Sequence, residues 1–286
     1  MASCVEIPFS KFHGLGNDFV VCEARGLPRN LARLARAICA RHTGVGADGF
    51  LVVMPAQDSS DHARVRFFNA DGSEAEMSGN GIRCAAAFLV GGAMAGSVLR
   101  IETASGVKSL RLLEAKEAKW IFRVRMGRPI LRPAMIPFRG SKSASPVVEF
   151  PLQTSAGPLL VTVTSMGNPH CTIFLTDFKA VDWRALGREI ESNRLFPKRT
   201  NVEFVRVHSP REIEVRFWER GVGETRSSGT GSCAAVVASI LNRRTGRRVR
   251  VRTRAGSLQV TWPARGEVTL TGPAELIAQG TYHYRR

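Results

Sequence analysis

Alternating hydrophobic and polar residues run through most of the chain, and this period of two predicts β-strands. Examples are ARVRFFNADG (63–72), SVLRIETASG (97–106), REIEVRFWERG (211–221) and VRTRAGSLQVTW (251–262). Four other segments read as helices instead: Asn30–His42, Gly81–Ala95, Asp182–Asn193 and Gly231–Arg244. The pattern therefore predicts a mixed α/β fold of the α+β kind, with helices embedded among several strands in each half.

The second half of the sequence repeats landmarks of the first at a nearly constant offset. Ser78-Gly79 recurs as Ser228-Gly229, and the matching pairs are Gly16-Asn17 with Gly167-Asn168 and Gly106 with Gly256. Asn69 and Glu219 each end a strand-like run, and each precedes its serine by nine residues. We interpret this order as two homologous, pseudosymmetric domains that face each other. The predicted domains are residues 1–125, to which 274–286 return, and residues 126–273.

The composition fits a globular protein with sizeable cores, since 44% of the 286 residues are hydrophobic. Neither a secretory pattern nor an apolar run of membrane-spanning length occurs, so we expect a soluble, cytoplasmic protein with no membrane partner. The six cysteines and six histidines lack the spacings of a zinc site or a disulfide framework, so we expect reduced thiols and no metal.

The formal net charge is +17, and basic residues are concentrated in NRRTGRRVRVRTR (242–254). Such a stripe can bind the phosphates of a nucleic acid. No aromatic-rich RNA platform or DNA-reading helix accompanies it, however, and the alternation favours a strand with one solvated basic face. Nucleic acid is therefore the disfavoured partner, and a surface that attracts anionic small molecules is the favoured interpretation.

Two glycine-rich turns, EMSGNGIRCAAAF (76–88) and TRSSGTGSCAAV (225–236), each lead into an alanine-rich helix. The first turn of a helix exposes unpaired N–H groups and suits an anion such as a carboxylate. Ser78 and Ser228 precede the two helices as an equivalent pair, which fits removal of a proton from one face of a substrate and its return to the other. The GxGxxA spacing after Ser228 also occurs in dinucleotide-binding folds, but here no strand directly precedes it and no acidic residue follows at the usual distance, so no cofactor is expected.

The chain resembles the diaminopimelate epimerase family, which belongs with proline racemase among the cofactor-independent amino acid racemases. The matching stretches are KFHGLGNDFVV, HTGVGADG, FFNADGSEAEMSGNGIRC, SMGNPHC, RTNVEF and WERGVGETRSSGTGSCAA, in the family order. The resemblance implies two similar domains, each wrapping strands around a central helix, with the active site in the cleft between them. It also implies an isomerase that converts LL-diaminopimelate to the meso form, for lysine and cell-wall precursor synthesis, without pyridoxal phosphate or metal.

The resemblance also implies roles for individual residues. Substrate binding is expected from the side chains of Asn17, Asn69, Asn168 and Asn201. Glu219 and Arg220 are expected to bind the distant, non-reacting end of the substrate or to help hold the site closed. The reacting α-carboxylate is expected at the backbone of Gly79 and Asn80 and of Gly229 and Thr230. His170 and Glu219 are expected beside the reacting centre. The alternative for the asparagines is turn formation, for which the GN and NADG contexts suit them, but their positions on the family motifs favour ligand contact.

One departure from the family pattern bears directly on catalysis, because the family has a cysteine before each helix where this chain has Ser78 and Ser228. A cysteine thiol has a pKa of about 8.5, and a position at a helix start lowers that pKa further. A serine hydroxyl is far less acidic and needs a neighbouring base to take part in proton transfer. His170 and Glu219 are the candidates for that base. Cys84 and Cys233 are expected in the cores.

Three explanations of the serine pair stay open: substitution to trap a substrate, a natural enzyme with slower or different proton chemistry, and a protein that binds an amino acid without turnover. Gly49 is a second departure, since some members carry a glutamine there that reaches the substrate, and its absence leaves another amino acid open as the substrate. The number of subunits is also open, with a homodimer as one alternative.

Overall fold

The computed structural model describes residues 4–92 and 96–285. The chain divides into two compact units, the first formed by Met1–Val124 and Gly272–Arg286 and the second by Arg125–Thr271. The last strand, β17 (Val268–Arg285), begins in the second unit and ends in the first.

The first unit contains strands β1 to β7, most of β8, the end of β17 and two helices. Its strands are β1 (Cys4–Gly14), β2 (Asn17–Glu23), β3 (Gly49–Met54), β4 (Ala63–Asn69), β5 (Glu74–Ala75), β6 (Val98–Glu102), β7 (Lys108–Lys116) and β8 (Lys119–Gly127). β1 pairs antiparallel with β17 and with β2, and β2 runs parallel to β3. β4 pairs antiparallel with β3 and β5 and parallel with β6, and β6, β7 and β8 follow as an antiparallel meander.

The second unit repeats this order of pairings. Its strands are β9 (Val147–Thr154), β10 (Gly157–Ser165), β11 (Pro169–Phe174), β12 (Asn201–Ser209), β13 (Glu212–Glu219), β14 (Gly223–Thr225), β15 (Arg248–Thr253) and β16 (Gly256–Thr261). β10 pairs antiparallel with β9 and β11, and β11 runs parallel to β12. β13 pairs antiparallel with β12 and β14 and parallel with β15, after which β16 and β17 complete the meander. The two topologically equivalent units confirm the predicted mixed α/β fold with two similar parts.

One helix in each unit is buried on nearly all sides. α2 (Gly79–Gly91) packs against β1, β2 and β3, while α4 (Gly229–Leu241) packs against strands from β10 to β16. Alanine, glycine and cysteine occupy much of both helices, and their small side chains allow strands to approach closely from several directions. A helix without a polar face belongs in the interior, in agreement with the central helix that the family resemblance implies.

The other two helices are amphipathic and cover one edge of each core. α1 (Leu31–Cys39) buries Leu34 and Ile38 on one face, and α3 (Trp183–Glu191) buries Leu186 and Ile190. Asn30 and Asp182 cap them by accepting hydrogen bonds from backbone N–H groups of the first turn. The structure also contains two short 3₁₀ turns, Pro133–Met135 and Phe178–Ala180.

All four predicted helices exist, but their ends were predicted wrongly. α2 and α4 begin two residues earlier than expected, because the glycines assigned to a turn already belong to the first helical turn. α1 stops at Cys39 and α4 at Leu241, short of the predicted ends at His42 and Arg244. The predicted end of the second helix, Ala95, lies outside the described residues.

Candidate active site

Ser78 and Ser228 are the N-cap residues of the two central helices. Each has an extended backbone, with φ/ψ of −122°/129° at Ser78 and −134°/129° at Ser228. The Ser78 hydroxyl accepts a hydrogen bond from the Gly81 N–H at 3.1 Å, and the Ser228 hydroxyl accepts one from the Gly231 N–H at 3.2 Å. The two equivalent serines of the sequence repeat thus have equivalent local structures.

The helix starts leave backbone N–H groups that their own helices cannot satisfy. These belong to the first two residues, Gly79 and Asn80 in α2 and Gly229 and Thr230 in α4. Together with the positive end of the helix dipole, they make each start suitable for an anionic group such as a carboxylate.

The Ser228 hydroxyl has a carboxylate partner. It donates a hydrogen bond to Oε2 of Glu219 at 2.9 Å, and Thr225 donates to Oε1 of the same carboxylate at 2.6 Å. Glu219 is the last residue of β13, and the short strand β14 returns the chain alongside it to the helix start. Ser228 is 4% exposed, whereas Glu219 is only partly buried, so the hydroxyl is shielded from water more than the carboxylate is.

The Ser78 side has a different environment. At the end of β4, Asn69 occupies the place that Glu219 has in the second unit, and its amide donates to Ser73 Oγ at 2.9 Å within its own turn. Among the described residues, the Gly81 N–H is the one hydrogen-bond partner of the Ser78 hydroxyl. Only one of the two serines therefore has a base within hydrogen-bond distance in the described part of the chain.

His170 forms the centre of a buried polar chain in the second unit. Its Nδ1 lies 2.7 Å from Oε1 of Glu203, and its Nε2 lies 3.0 Å from Oδ1 of Asn168. Asn168 Nδ2 in turn points to Thr230 Oγ1 at a distance of 3.5 Å. This series of polar contacts thus runs from the buried acid Glu203 to Thr230, the second residue of α4.

The equivalent asparagine of the first unit, Asn17, joins a charged network. It accepts from Asn80 Nδ2 at 3.3 Å and donates to Asp48 at 3.0 Å. Asp48 also accepts from Arg41 at 2.6 Å. Asn17 directly follows a two-residue turn in which Leu15 and Gly16 both have positive φ, the geometry of a tight hairpin.

Asp18, next to Asn17, is held as a carboxylate. Burial opposes its ionisation, but the hydrogen bond from Lys11, the Asp48 backbone N–H and the positive charge of Arg41 outweigh that effect and lower its pKa. Lys11 Nζ lies 3.0 Å from Asp18 Oδ2.

Asn201 contacts Arg220, the residue that directly follows Glu219. The Asn201 side chain donates to the Pro169 carbonyl oxygen at 2.9 Å and accepts from the Arg220 backbone N–H at 3.0 Å. The Arg220 guanidinium is directed to the Lys198 carbonyl oxygen at 3.1 Å. The predicted site residues are divided between the two units. The second unit contains Asn168, His170, Asn201, Glu219, Arg220, Ser228, Gly229 and Thr230, and the first contains Asn17, Asn69, Ser78, Gly79 and Asn80.

Cys84 and Cys233 are fully buried, as predicted. Burial raises the pKa of the Cys84 thiol to about 12, so it stays protonated at neutral pH. Gly49 is also tightly enclosed, since a Cβ there would lie 2.9 Å from both Phe19 Cδ1 and the Phe68 carbonyl oxygen. These positions are part of the packing, and a larger residue at position 49 does not fit without rearrangement.

The basic stripe adopts the predicted arrangement over its strand portion. In β15, Arg248, Arg250 and Arg252 are exposed, while Val249 and Val251 are buried. None of the helices in residues 4–92 and 96–285 is long and apolar enough to cross a membrane. Among those same residues, no cluster of three or more His, Cys, Asp and Glu side chains is arranged to hold a metal ion.

Several polar residues of this region were not predicted, among them Glu203, Thr225, Glu191 and Asp48. Glu203 carried a signal, because it is the one charged residue within the apolar run NVEFV of a strand. Thr225 and Glu191 carried none, since both depend on contacts made only in the folded unit.

Comparison with solved structures first defines the fold. A hydroxyproline epimerase from Agrobacterium vitis superposes with a TM-score of 0.72, covering 100% of this chain and 95% of that one, at 15% sequence identity. The fold is therefore the two-unit fold of a known epimerase.

Comparison of sequences then defines the family. The diaminopimelate epimerase family model matches residues 9–131 and 162–277. A diaminopimelate epimerase from Pelotomaculum thermopropionicum is 45% identical over 281 residues, covering 97% of this chain and 99% of the relative. One from Desulforudis audaxviator is 46% identical over 278 residues, covering 96% and 98%. The chain belongs to the diaminopimelate epimerase family, which confirms the resemblance found in the sequence.

Proposed function

We propose that this protein is a cofactor-independent amino acid epimerase that interconverts LL- and meso-diaminopimelate by proton transfer at Cα. In this proposal it acts in the cytoplasm, in the synthesis of lysine and peptidoglycan precursors. Family membership supports the proposal, because relatives at 45% and 46% identity are named diaminopimelate epimerases.

The observation that carries the proposal is the hydrogen bond from Ser228 to Glu219 at 2.9 Å. A serine hydroxyl becomes a useful proton acceptor when a neighbouring base takes its own proton. We propose that the Cα proton passes to Ser228 Oγ as the hydroxyl proton passes to Glu219. The negative charge that develops on the substrate is stabilised by the N–H groups at the helix start.

Ser78 has the opposite role in this proposal, since it returns a proton to the other face of Cα. Its hydroxyl has no carboxylate partner among the described residues. A hydroxyl without a base donates and accepts protons less readily than a thiol. We therefore expect this step to be slow and to limit inversion.

The remaining contacts of the proposal follow the family pattern. The backbone of Gly79, Asn80, Gly229 and Thr230 receives the α-carboxylate, and His170 orients groups beside the reacting carbon. The other amino and carboxylate groups are bound by Asn17, Asn69, Asn168, Asn201, Glu219 and Arg220. The hydrogen-bonding capacity of these side chains supports this assignment, as does the position of four of them within one unit.

The proposal is tested by assaying epimerisation of LL-diaminopimelate by the unmodified chain and by a Ser78→Cys plus Ser228→Cys variant. We expect slow turnover by the first and a strong gain in the second, because a thiol at a helix start ionises near neutral pH. A Ser105→Cys plus Ser143→Cys variant is the matched control, since it adds two thiols at exposed positions. A folded double variant at Ser78 and Ser228 that remains inactive would refute the assignment.

A second candidate function is amino acid binding without turnover, and the serine pair itself favours it. The two candidates differ in whether bound LL-diaminopimelate loses its α-proton. Assembly as a homodimer stays a prediction, and light scattering of the purified protein tests it.

A further inference from the structure

Glu203 is a buried acid that the proposed proton transfer does not use. It lies in β12, is 1% exposed, and places Oε1 2.7 Å from Nδ1 of His170. Its second oxygen, Oε2, has no hydrogen-bond partner among the described residues. The hydroxyl of Thr172, opposite Glu203 in the β11–β12 pair, also has none.

These contacts distinguish the protonation patterns in which Glu203 is a carboxylate from the one in which it is a neutral acid. As a carboxylate, Glu203 would keep a charged Oε2 buried with no donor in hydrogen-bond geometry, whether His170 is an imidazolium or a neutral ring protonated on Nδ1, and this is costly in a protein interior. The neutral ring protonated on Nδ1 would also place two acceptors, Nε2 and Oδ1 of Asn168, 3.0 Å apart. A neutral acid instead donates its proton from Oε1 to Nδ1 and leaves Oε2 as a carbonyl oxygen, for which a missing partner costs less. Burial raises the pKa of Glu203 and the charge of Glu219 adds to the rise, which outweighs the opposing effects of His170 and of the Thr172 hydroxyl.

The neutral acid fixes the direction of the whole polar chain. With Nδ1 as an acceptor, the ring proton lies on Nε2, which donates to Oδ1 of Asn168 at 3.0 Å. The Asn168 carbonyl oxygen is then occupied, and its amide N–H groups face Thr230 Oγ1 at a distance of 3.5 Å. The amide is thereby oriented as a donor at the start of α4.

The first unit shows that the fold itself does not need the hydrogen-bonded series Glu203–His170–Asn168. The positions equivalent to His170 and Glu203 in the paired strands are Phe19 and Leu51, and both are buried apolar residues. Because the apolar pair Phe19 and Leu51 packs at these positions in the first unit, packing alone does not explain the polar pair His170 and Glu203 in the second, and a functional role is the better explanation.

We propose that Glu203 is a positioning residue, present as the neutral acid, which acts through His170 to orient Asn168 as a hydrogen-bond donor to a carboxylate oxygen of the ligand. This inference deepens the proposed function and rests on it for the identity of the ligand. The proton arrangement does not depend on the ligand and can be measured alone.

The first test uses the unmodified protein without ligand at neutral pH. Isotope-edited infrared spectra of glutamate-labelled protein should contain a carboxylic acid band that disappears in Glu203→Gln. Nitrogen NMR of histidine-labelled protein should show one neutral ring with its proton on Nε2, assigned by its loss in His170→Gln. A carboxylate signal from Glu203, with His170 either doubly protonated or protonated on Nδ1 alone, would overturn the proposal.

The second test compares two variants for binding of LL-diaminopimelate by calorimetry. Glu203→Gln retains an N–H donor toward Nδ1, so its affinity should stay within about three-fold of the unmodified protein, whereas Glu203→Leu should lose on the order of ten-fold. Equal losses in the two folded variants would contradict the donor role. Absence of binding by the unmodified protein would refute the proposed function, while the spectra would still decide the state of Glu203.

Discussion

Replacement of Glu191 should destabilise the corner that carries Glu219. This glutamate ends α3, and its carboxylate accepts hydrogen bonds from Trp218 Nε1 and from the Gly221 N–H, each at 2.7 Å. Trp218 and Gly221 stand on either side of Glu219 and Arg220. The two bonds therefore fix the backbone that presents Glu219 to Ser228.

The size of the effect follows from burial. The Glu191 side chain is 5% exposed, and a buried hydrogen bond to a charged group contributes about 1.5–3 kcal/mol. Arg199, which pairs with the same carboxylate at 2.9 Å, is 54% exposed, so its contribution is about 1 kcal/mol or less. We expect Glu191→Ala to lower the free energy of unfolding of the second unit by about 3–5 kcal/mol, and Glu191→Gln by about half as much because one acceptor remains.

The assay is urea unfolding followed by the indole N–H resonance of Trp218, which reports on the second unit alone and avoids assuming one transition for both units. Hydrogen exchange of the Gly221 amide should accelerate in parallel. Arg199→Gln is the matched control and should change the unfolding free energy by about 1 kcal/mol or less. A Glu191→Ala protein as stable as this control would refute the role assigned to Glu191.

Two further substitutions and one labelling experiment test the packing around the helix starts. Gly231→Ala should destabilise the protein by about 1–3 kcal/mol, because its Cβ would lie 2.9 Å from both Glu203 Oε1 and Phe217 Cδ1. Gly91→Ala is its control and should be neutral or stabilising in thermal melts, since the nearest atom is 3.7 Å away; similar melting shifts for both would contradict the steric argument. A thiol reagent should label exposed Cys4 in the folded protein. Cys84, whose pKa burial raises to about 12, should stay unlabelled until the protein unfolds, and rapid labelling by mass spectrometry would show that the helix is less enclosed than described.

The sequence predicted the fold through periodicity and repetition. Strand alternation and the equivalent serines were both visible in the chain, and both units have the predicted elements. Helix ends were less predictable, because the Ser78 and Ser228 side chains cap Gly81 and Gly231 and thereby draw the preceding glycines into the helix. Local pattern alone does not reveal such a contact.

The candidate site was only partly predictable for the same reason. The family motifs identified Ser228, Glu219 and His170, but not which of them form hydrogen bonds with each other. The Ser228–Glu219 bond depends on β14 bringing residue 228 back to the end of β13, and the His170–Glu203 bond depends on the parallel pairing of β11 with β12. The difference between the two serines is therefore a property of the folded units.

The central claim is that Ser228 with Glu219 still removes the substrate α-proton, while Ser78 returns one slowly. NMR of LL- and meso-diaminopimelate incubated with the unmodified protein in heavy water tests it directly, with Glu219→Gln as the control. We predict that one isomer exchanges its α-proton for deuterium faster than it is inverted, and that this exchange is lost in the control. Binding of the amino acid without any exchange above the enzyme-free rate would contradict the claim.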